Sequence, residues 1–208
     1  MHHPEVLAVP FAMLADYYLT LYGSALSSKK YGRHLRSEHY ELNPRWQLTV
    51  TRRQWLNPRH LFLVGAVTFL LVLFDAMIGR YPEFTKFLHF FVGMILTTFL
   101  CLIGRHTCNI LLFRYVARHP ASLSGEARFS HELSLAISQY QILMVAIPLA
   151  AAVAANPTDF MIGALASQVV LLYAHLVWGA KYRKANRDRV RDIEPDNRDG
   201  LPSVEPEF

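Results

Sequence analysis

Long apolar stretches alternate with segments rich in Lys and Arg along this 208-residue chain. Each stretch is close to the roughly 20 residues that an α-helix needs to cross a hydrocarbon core of about 30 Å. The stretches cover residues 6–26, 59–79, 87–104, 133–155 and 159–179. This pattern predicts an all-α fold, an integral membrane helical bundle with four to five transmembrane helices. We expect one polytopic domain, residues 1–184, followed by a charged tail, residues 185–208.

The first stretch leaves the number of spans open. It is apolar apart from Asp16 and a few tyrosine and hydroxyl side chains, and Pro10 stands where a helix could begin. A helix lying on the membrane surface is the alternative to a span. The other four helices keep the same orientation in either case. We favour five spans.

The basic residues predict the orientation in the membrane. Of the 21 Lys and Arg residues, only Arg80 and Lys86 lie outside three segments that flank the apolar stretches. Cytoplasmic loops retain Lys and Arg during insertion. The segment 28–58, the loop before the fourth span and the carboxyl-terminal tail are therefore predicted to be cytoplasmic, with residues 80–86 outside. Because the basic residues flank spans, the net charge of +5 indicates topology or anionic-lipid binding, and no nucleic-acid partner is expected.

The basic segment 28–58 contains a repeated motif, because Leu-Asn-Pro-Arg occurs at residues 42–45 and again at 56–59. Asn caps a free amide and Pro at the first helical position has none, so helices are predicted to begin near Pro44 and Pro58. The alternation after Pro44 suits a strand as well as a helix. The segment also suits the lipid headgroup level, with an ordinary connector as the alternative. The predicted lipid- or partner-binding residues are Arg45, Trp46, Arg52, Arg53 and Trp55.

A further Asn-Pro pair, Asn156 and Pro157, predicts the start of the last span. Small residues recur at helical spacing on both sides of it, including Ala150 in the fourth span and Gly163 in the fifth. Small residues at this spacing let helix backbones approach closely. The last two spans are therefore expected to pack as a tight antiparallel hairpin.

Each predicted span carries one stripe of small or polar residues at helical spacing. Lipid cannot solvate polar groups, so the stripes should face one another inside the bundle. From the rise per residue, five polar side chains come out near mid-membrane and form a predicted intramembrane network. They are Asp16, Thr68, Thr97, Gln141 and Gln168.

Asp16 is the strongest candidate for a functional residue, because an Asp near the centre of a span costs roughly 2.5–3.5 kcal/mol on insertion scales. We expect it inside the bundle, within reach of Gln141 or Gln168. Three roles stay open for its side chain. It could hold helices together by hydrogen bonds, handle ions or protons, or face water if the first helix lies on the surface.

Other polar side chains cluster toward the two membrane surfaces. Asp75 and His89 form a predicted pair near the outer surface, and a second layer is predicted near the cytoplasm. That layer contains His106, His131, Glu132 and His175. Its histidines are weak metal-ligand candidates whose spacing matches no metal motif, so neither a metal nor a cofactor is predicted. The absence of catalytic motifs favours a protein that is not an enzyme.

One stretch resembles a known group of proteins. Asp16-x-x-x-Thr20 is followed by Gly23, and the segments Tyr40-Glu41-Leu42-Asn43-Pro44 and Trp55-Leu56-Asn57-Pro58 come after it. The pattern, about 45 residues long, resembles small, uncharacterised prokaryotic polytopic membrane proteins. The resemblance implies a prokaryotic inner or plasma membrane and a joint role for Asp16 and the Asn-Pro loop. It implies no particular chemistry.

Two classes of function remain. The first is a non-enzymatic accessory or interaction subunit that binds a membrane partner or anionic lipid through its basic cytoplasmic face. The alternative is a small, oligomeric channel or transporter for ions or protons that uses Asp16 and the mid-membrane polar residues. The two halves of the chain show no inverted repeat of the kind many transporters have, which favours the first class. The predicted partners are membrane lipids and either further copies of the chain or other subunits of a membrane complex.

Overall fold

A computed structural model of the protein describes residues 3–27, 35–37, 40–122 and 127–193. Helices dominate this part of the chain. In chain order the elements are a 3-10 turn (Pro4–Leu7), α1 (Ala8–Ser27), β1 (Leu35–Ser37), α2 (Gln47–Thr51), α3 (Pro58–Ile78), α4 (Phe84–Arg118), a second 3-10 turn (Pro120–Ser122), β2 (Ala127–Phe129), α5 (His131–Ala155) and α6 (Asp159–Ile193).

Five helices of the described residues are long and apolar enough to cross a membrane. They cover Pro4–Ser27, Pro58–Ile78, Phe84–Arg118, His131–Ala155 and Asp159–Ala185. Large apolar side chains on their outer faces are exposed, among them Phe62, Phe69 and Met144. Exposed apolar faces of this extent suit contact with lipid rather than with water. The predicted all-α, multi-pass membrane bundle is thereby confirmed.

The helix α1 is an integral member of this bundle. It packs along α4 and also touches α3, and it is the most deeply buried of the five long helices. Its first half contributes to an apolar core cluster shared by the three helices. The buried members are Val6, Val9, Met13, Val64, Leu71, Leu88 and Val92. A helix lying separately on a membrane surface would not bury its side chains in this way, so the bundle has five long helices rather than four.

The long helices alternate in direction, which gives the molecule two distinct ends. We call the end with the tight connections at residues 79–83 and 156–158 the short-loop end. The other end, which carries α2, β1 and β2, is called the strand end. There β1 pairs in parallel with β2, with Leu35 opposite Ala127 and Ser37 opposite Phe129. That the strand end is the cytoplasmic one stays a prediction.

The helix starts follow the predicted capping signals only in part. The Asn57 side chain accepts hydrogen bonds from the amides of Arg59 and His60, so α3 begins at Pro58 as predicted. The stretch after Pro44 is helical rather than a strand, but α2 begins later, at Gln47. Asn43 explains the delay, because its backbone and side chain first close a turn before the helix.

The last helix begins differently from the prediction. Asn156 ends α5, and α6 starts at Asp159. Thr158 is the residue that caps it, since its hydroxyl accepts the Met161 amide at 3.2 Å. The predicted start at Pro157 is therefore wrong by two residues. Thr and Asn are both good N-cap residues, and here Thr158 caps the helix instead of Asn156.

Two helices run past their predicted spans. α4 continues from residue 104 to Arg118, since no helix-breaking residue precedes Pro120. α6 continues through Ile193, so the start of the predicted tail, from residue 185, is helical. The rest of the tail, residues 194–208, lies outside the described residues, as do residues 28–34 of the basic segment.

A pair of glycines brings α4 and α6 into direct backbone contact. A Cβ at Gly93 would overlap the carbonyl oxygen of Phe160, and a Cβ at Gly163 would overlap that of Phe90. Only a residue without a side chain permits this approach. The sequence predicts Gly163 in the contact between α5 and α6, whereas the structure assigns its close approach to α4. α5 packs along the remaining length of α6.

The helices α4 and α5 barely touch, although both pack extensively against α6. A gap therefore separates them on the side away from α6. The side chains that line it from the two helices include Cys108, Asn109, Leu112, Ser134, Ile137 and Gln141. Arg105 and Ser138 of the candidate site also line this gap.

Candidate ligand site inside the helical bundle

His106 lies at the centre of a buried polar cluster between α1 and α4. Its Nε2 is 2.9 Å from Thr20 Oγ1 and 3.5 Å from Asp16 Oδ1. The Thr20 hydroxyl donates its proton to the backbone carbonyl of Asp16, at 2.8 Å. Thr20 Oγ1 must then accept a hydrogen bond from His106, which assigns the imidazole proton to Nε2.

Tyr40 contacts His106 on the side away from Thr20. Its hydroxyl donates to the free Nδ1 of His106 at 3.3 Å, and its ring stacks on the imidazole with centroids 5.7 Å apart. Burial raises the pKa of Tyr40 to about 12, although the positive charge of Arg105 acts against this shift. The phenol therefore stays protonated and remains a hydrogen-bond donor throughout the physiological range.

Glu41 brings a second carboxyl group to the cluster from the segment before α2. Its Oε1 accepts the Asn43 amide at 2.8 Å, which fixes the start of the Asn-Pro turn. Burial raises the pKa of Glu41, while the positive charge of Arg105 lowers it. Glu41 and Asp16 line the same cavity.

Arg105 starts a directed chain of hydrogen bonds that joins α4, α5 and α6. Its Nη1 donates to Ser138 Oγ at 3.0 Å, and the Ser138 hydroxyl donates to His175 Nε2 at 3.0 Å. His175 in turn donates its Nδ1–H to the Leu171 carbonyl at 2.8 Å. Ser138 and His175 are both buried. The chain aligns the guanidinium of Arg105 toward the interior of the bundle.

Two adjoining cavities surround this cluster. The first, about 260 Å³, is lined by Asp16, Thr20, Glu41, His106 and His175 together with apolar and aromatic side chains. The second, about 340 Å³, lies in the gap between α4 and α5. The walls of both cavities are mainly apolar, but carboxyl and imidazole side chains line only the first. Arg105 and Leu42 line both of them. The guanidinium thus stands at the junction of the two cavities.

The structure places the predicted mid-membrane residues in several environments. Asp16 faces His106 instead of Gln141 or Gln168, because α1 presents it to α4. Gln168 is fully buried and donates to Ser167 at 3.1 Å, and Gln141 lines the cavity between α4 and α5. Buried oxygen atoms without a hydrogen-bond partner in the described residues are those of Thr68, Gln141 and Gln168, besides Asp16 Oδ1. Among the described residues these side chains and the partly buried Thr97 therefore do not form one network.

The predicted inner layer is divided as well. His106 and His175 belong to the candidate site, whereas His131 packs against Tyr182, with ring centroids 4.7 Å apart. In the described part of the chain the one group with metal-ligand geometry contains none of these three histidines. It lies at the short-loop end and contains His89 of the predicted outer pair.

The predicted interfacial element contacts both the protein and its surroundings. Trp46 packs edge-on against His60 and lies under the guanidinium of Arg59, 5.5 Å from the ring centroid. Trp55 is 56% exposed and stacks loosely on Tyr18. The three arginines of this element are exposed, namely Arg45, Arg52 and Arg53. Binding of lipid headgroups by this element stays a prediction, and Trp55 is the aromatic ring free to make it.

Several residues of the site do not stand out in the sequence. In the sequence, Arg105 is one of several basic residues that predict the membrane orientation. Ser138 is one of several small polar residues in the stripe of its span. Tyr40, Glu41 and Asn43 are part of the motif that resembles other membrane proteins. The structure brings Glu41 and Asn43 to the cavity that Asp16 lines, and Tyr40 to the adjoining cavity. No protein-family model, curated protein sequence or solved structure matches the chain.

Proposed function

We propose that this protein is a non-enzymatic membrane subunit that binds a phospholipid inside the bundle, with the lipid phosphate on Arg105. This is a narrower form of the accessory function expected from the sequence. The ligand would enter from the bilayer through the gap between α4 and α5. The observation that carries the proposal is the position of the Arg105 guanidinium at the junction of the two cavities.

Arg105 supports an anionic ligand because its neighbours use only part of its hydrogen-bonding capacity. A guanidinium has five N–H donors. Arg105 contacts the Ser138 hydroxyl at 3.0 Å and His106 Nε2 at 3.4 Å, and this nitrogen accepts no hydrogen bond when His106 carries its proton on Nε2. No carboxylate of the described residues lies within 4.0 Å of it. Arg binds phosphate through paired, charge-assisted hydrogen bonds. A phosphate at this junction would therefore use donors that the protein leaves available.

The two carboxyl groups support a headgroup that also carries a hydrogen-bond donor. Asp16 Oδ1 is buried without a hydrogen-bond partner in the described residues, and Glu41 lines the same cavity. Leaving a buried acceptor unpaired costs about 1–3 kcal/mol. The ammonium of phosphatidylethanolamine or the hydroxyls of phosphatidylglycerol could supply such a donor. The choline headgroup cannot, since it has no N–H or O–H.

The second cavity supports a ligand with an apolar tail. It is lined by Leu112, Phe113 and Ile137 beside the polar groups of Arg105 and Ser138. Ligand sites are typically apolar cavities with a few convergent polar groups. Because α4 and α5 barely touch, an acyl chain could pass between them without a rearrangement of the bundle.

The test is lipid binding to the purified full chain in mild detergent, measured by native mass spectrometry after removal of bound lipid. We expect phosphatidylglycerol and phosphatidylethanolamine to bind more tightly than phosphatidylcholine. Arg105→Gln should weaken binding by about 10- to 100-fold, the loss of one charge-assisted contact. Asp16→Asn should mainly reduce the preference over phosphatidylcholine.

The matched control is Arg118→Gln, which removes an exposed arginine of the same helix. It should leave lipid binding unchanged. Equal binding by wild type and Arg105→Gln, with both proteins folded, would contradict the proposal. Competition by inorganic phosphate at millimolar concentration would identify a free anion, and not a lipid, as the ligand of this site.

Ion or proton transfer is a second candidate, because three ionisable side chains follow one another in the buried cluster. Asp16 lies 3.5 Å from His106, and His106 lies 3.3 Å from Tyr40 on its other side. Chains of this type carry protons in membrane pumps and transporters. This candidate requires pH-driven flux in liposomes that the Asp16→Asn variant lacks while lipid binding persists.

A further inference from the structure

A second cluster of ionisable side chains lies at the short-loop end of the bundle, apart from the ligand site. It combines the segment that precedes α1 with the beginning of α4. His3 Nδ1 is 3.0 Å from Glu5 Oε1, His89 Nε2 is 3.6 Å from the same oxygen, and the two imidazole nitrogens are 3.3 Å apart. Two imidazoles and one carboxylate thus point their ligand atoms at a common position.

The spacing of these three atoms is that of metal ligands. In tetrahedral coordination with bonds of about 2.0–2.1 Å, neighbouring ligand atoms are about 3.3 Å apart. The three observed separations, 3.0, 3.3 and 3.6 Å, bracket this value. A tetrahedral ion would need little rearrangement to contact all three atoms.

The surroundings of the cluster also suit an ion. The side chains of His3, Glu5 and His89 are 19%, 39% and 36% exposed, which leaves a fourth coordination position open to solvent. The Asp75 carboxylate accepts the backbone amide of His3 at 2.8 Å and so fixes this residue against α3. The imidazole rings of His3 and His89 are nearly perpendicular, with centroids 4.9 Å apart. The hydrogen bond from Asp75 holds the backbone of His3 in place, so its imidazole stays beside that of His89.

We propose that His3, Glu5 and His89 bind one divalent transition-metal ion of the zinc class at the short-loop end. Two imidazoles and a carboxylate are donors that zinc accepts in a four-coordinate site with one open position. The bound ion would join the segment before α1 to α4. The proposal does not depend on the function assigned to the Arg105 site.

The experiment is a zinc titration of the full-length protein, purified in detergent through an affinity tag without histidine and freed of metal with a chelator. Isothermal calorimetry should give one zinc ion per chain. His89→Ala and Glu5→Gln should each weaken binding at least tenfold, since loss of a mere outer-shell partner already costs about 10- to 100-fold. Co²⁺ in place of zinc should show the visible bands of tetrahedral coordination.

His119→Ala is the matched control, because it removes an exposed histidine at the opposite end of the same helix. It should leave zinc affinity unchanged. His89→Cys replaces one zinc ligand by another and should retain tighter binding than His89→Ala, which separates ligation from a general effect on folding. Absence of saturable zinc binding, or equal affinity of wild type and His89→Ala, would overturn the proposal.

Discussion

The contact between α4 and α6 changes character along its length. Near the short-loop end Gly93 and Gly163 let the two backbones touch, and no polar side chain is needed between them. Further along, α4 carries Arg105 and His106 while α6 carries His175, and these side chains line a cavity of about 260 Å³ together with residues of α1 and α3. One helix pair therefore provides both a closed crossing and an open, polar site.

The difference shows how a small bundle can hold a cavity without losing its packing. At the glycines the approach of the two helices is set by backbone atoms, which leave no room between them. Around Arg105, His106 and His175 longer side chains from several helices meet instead, and a cavity remains among them. The close contact stabilises the helix pair, and the cavity provides the room for a ligand.

The largest expected effect comes from closing the space at the crossing. Gly163→Ala or Gly93→Ala would place a Cβ on a backbone carbonyl of the facing helix, and backbone atoms cannot rotate away as a side chain can. We expect destabilisation of about 3 kcal/mol, the upper part of the range for overpacking. Unfolding of the purified protein by denaturant in detergent would measure it.

Gly104→Ala is the matched control on the same helix, since a Cβ there meets nothing within 4 Å. It should be neutral or stabilise the helix by up to about 1 kcal/mol through its higher helix propensity. If all three alanine variants unfolded alike, the glycine contact would not be what holds α4 to α6.

A medium effect is expected in the polar cluster beside this contact. Asp16→Leu removes a carboxyl group near the charge of Arg105 and places a larger, branched apolar side chain against His106. It should destabilise the protein by roughly 1–3 kcal/mol, the range for overpacking. Asp16→Asn keeps the shape and a polar oxygen, so it should stay close to wild type. Thermal unfolding of the three proteins would compare them. Equal tolerance of Asn, Leu and Lys would mean that Asp16 faces water.

The smallest effect is a pH dependence from Glu41. Its pKa is raised by burial from the ordinary value of 4.5, so the folded state holds a proton that the unfolded chain releases. The resulting stabilisation is complete below about pH 4.5 and is lost as the pH rises through the pKa of the folded protein. Wild type should therefore lose more stability than Glu41→Gln between pH 4.5 and 7, as measured by denaturant unfolding at each pH. Parallel pH profiles would contradict this assignment.

The helical bundle could be predicted from the sequence. A long apolar stretch in a membrane has few ways to pair the hydrogen-bonding groups of its backbone, and a helix is one of them. The cap at Asn57 and the continuation of α4 to Arg118 follow from local signals that no distant contact opposes. The start of α6 was harder to predict, because Asn156, Thr158 and Asp159 are all common at a helix start. Only the packing of the folded protein determines which of them is used.

The candidate site could be predicted from the sequence only in part. Asp16 stands out because a carboxyl group in a span is costly, but its partner depends on which face α1 turns toward α4. The depth estimated from the rise per residue places Asp16 near mid-membrane and the two histidines nearer the cytoplasm. In the structure Asp16, His106 and His175 line one cavity. Arg105 was hidden by its position near the end of a span, where arginine is ordinary. His3 and Glu5 lie outside every strong sequence pattern.

The parallel pairing of β1 with β2 has a consequence for biosynthesis. β1 precedes the second long helix, and its partner follows the third, so a chain made from its amino terminus has no partner for β1 until α4 has been completed. Pairing between such distant segments is slow compared with helix formation. The amino-terminal part of the polar site, including Asp16 and Tyr40, therefore exists before Ser138 and His175 have been synthesised. The translocation machinery or water must solvate these polar groups during that interval.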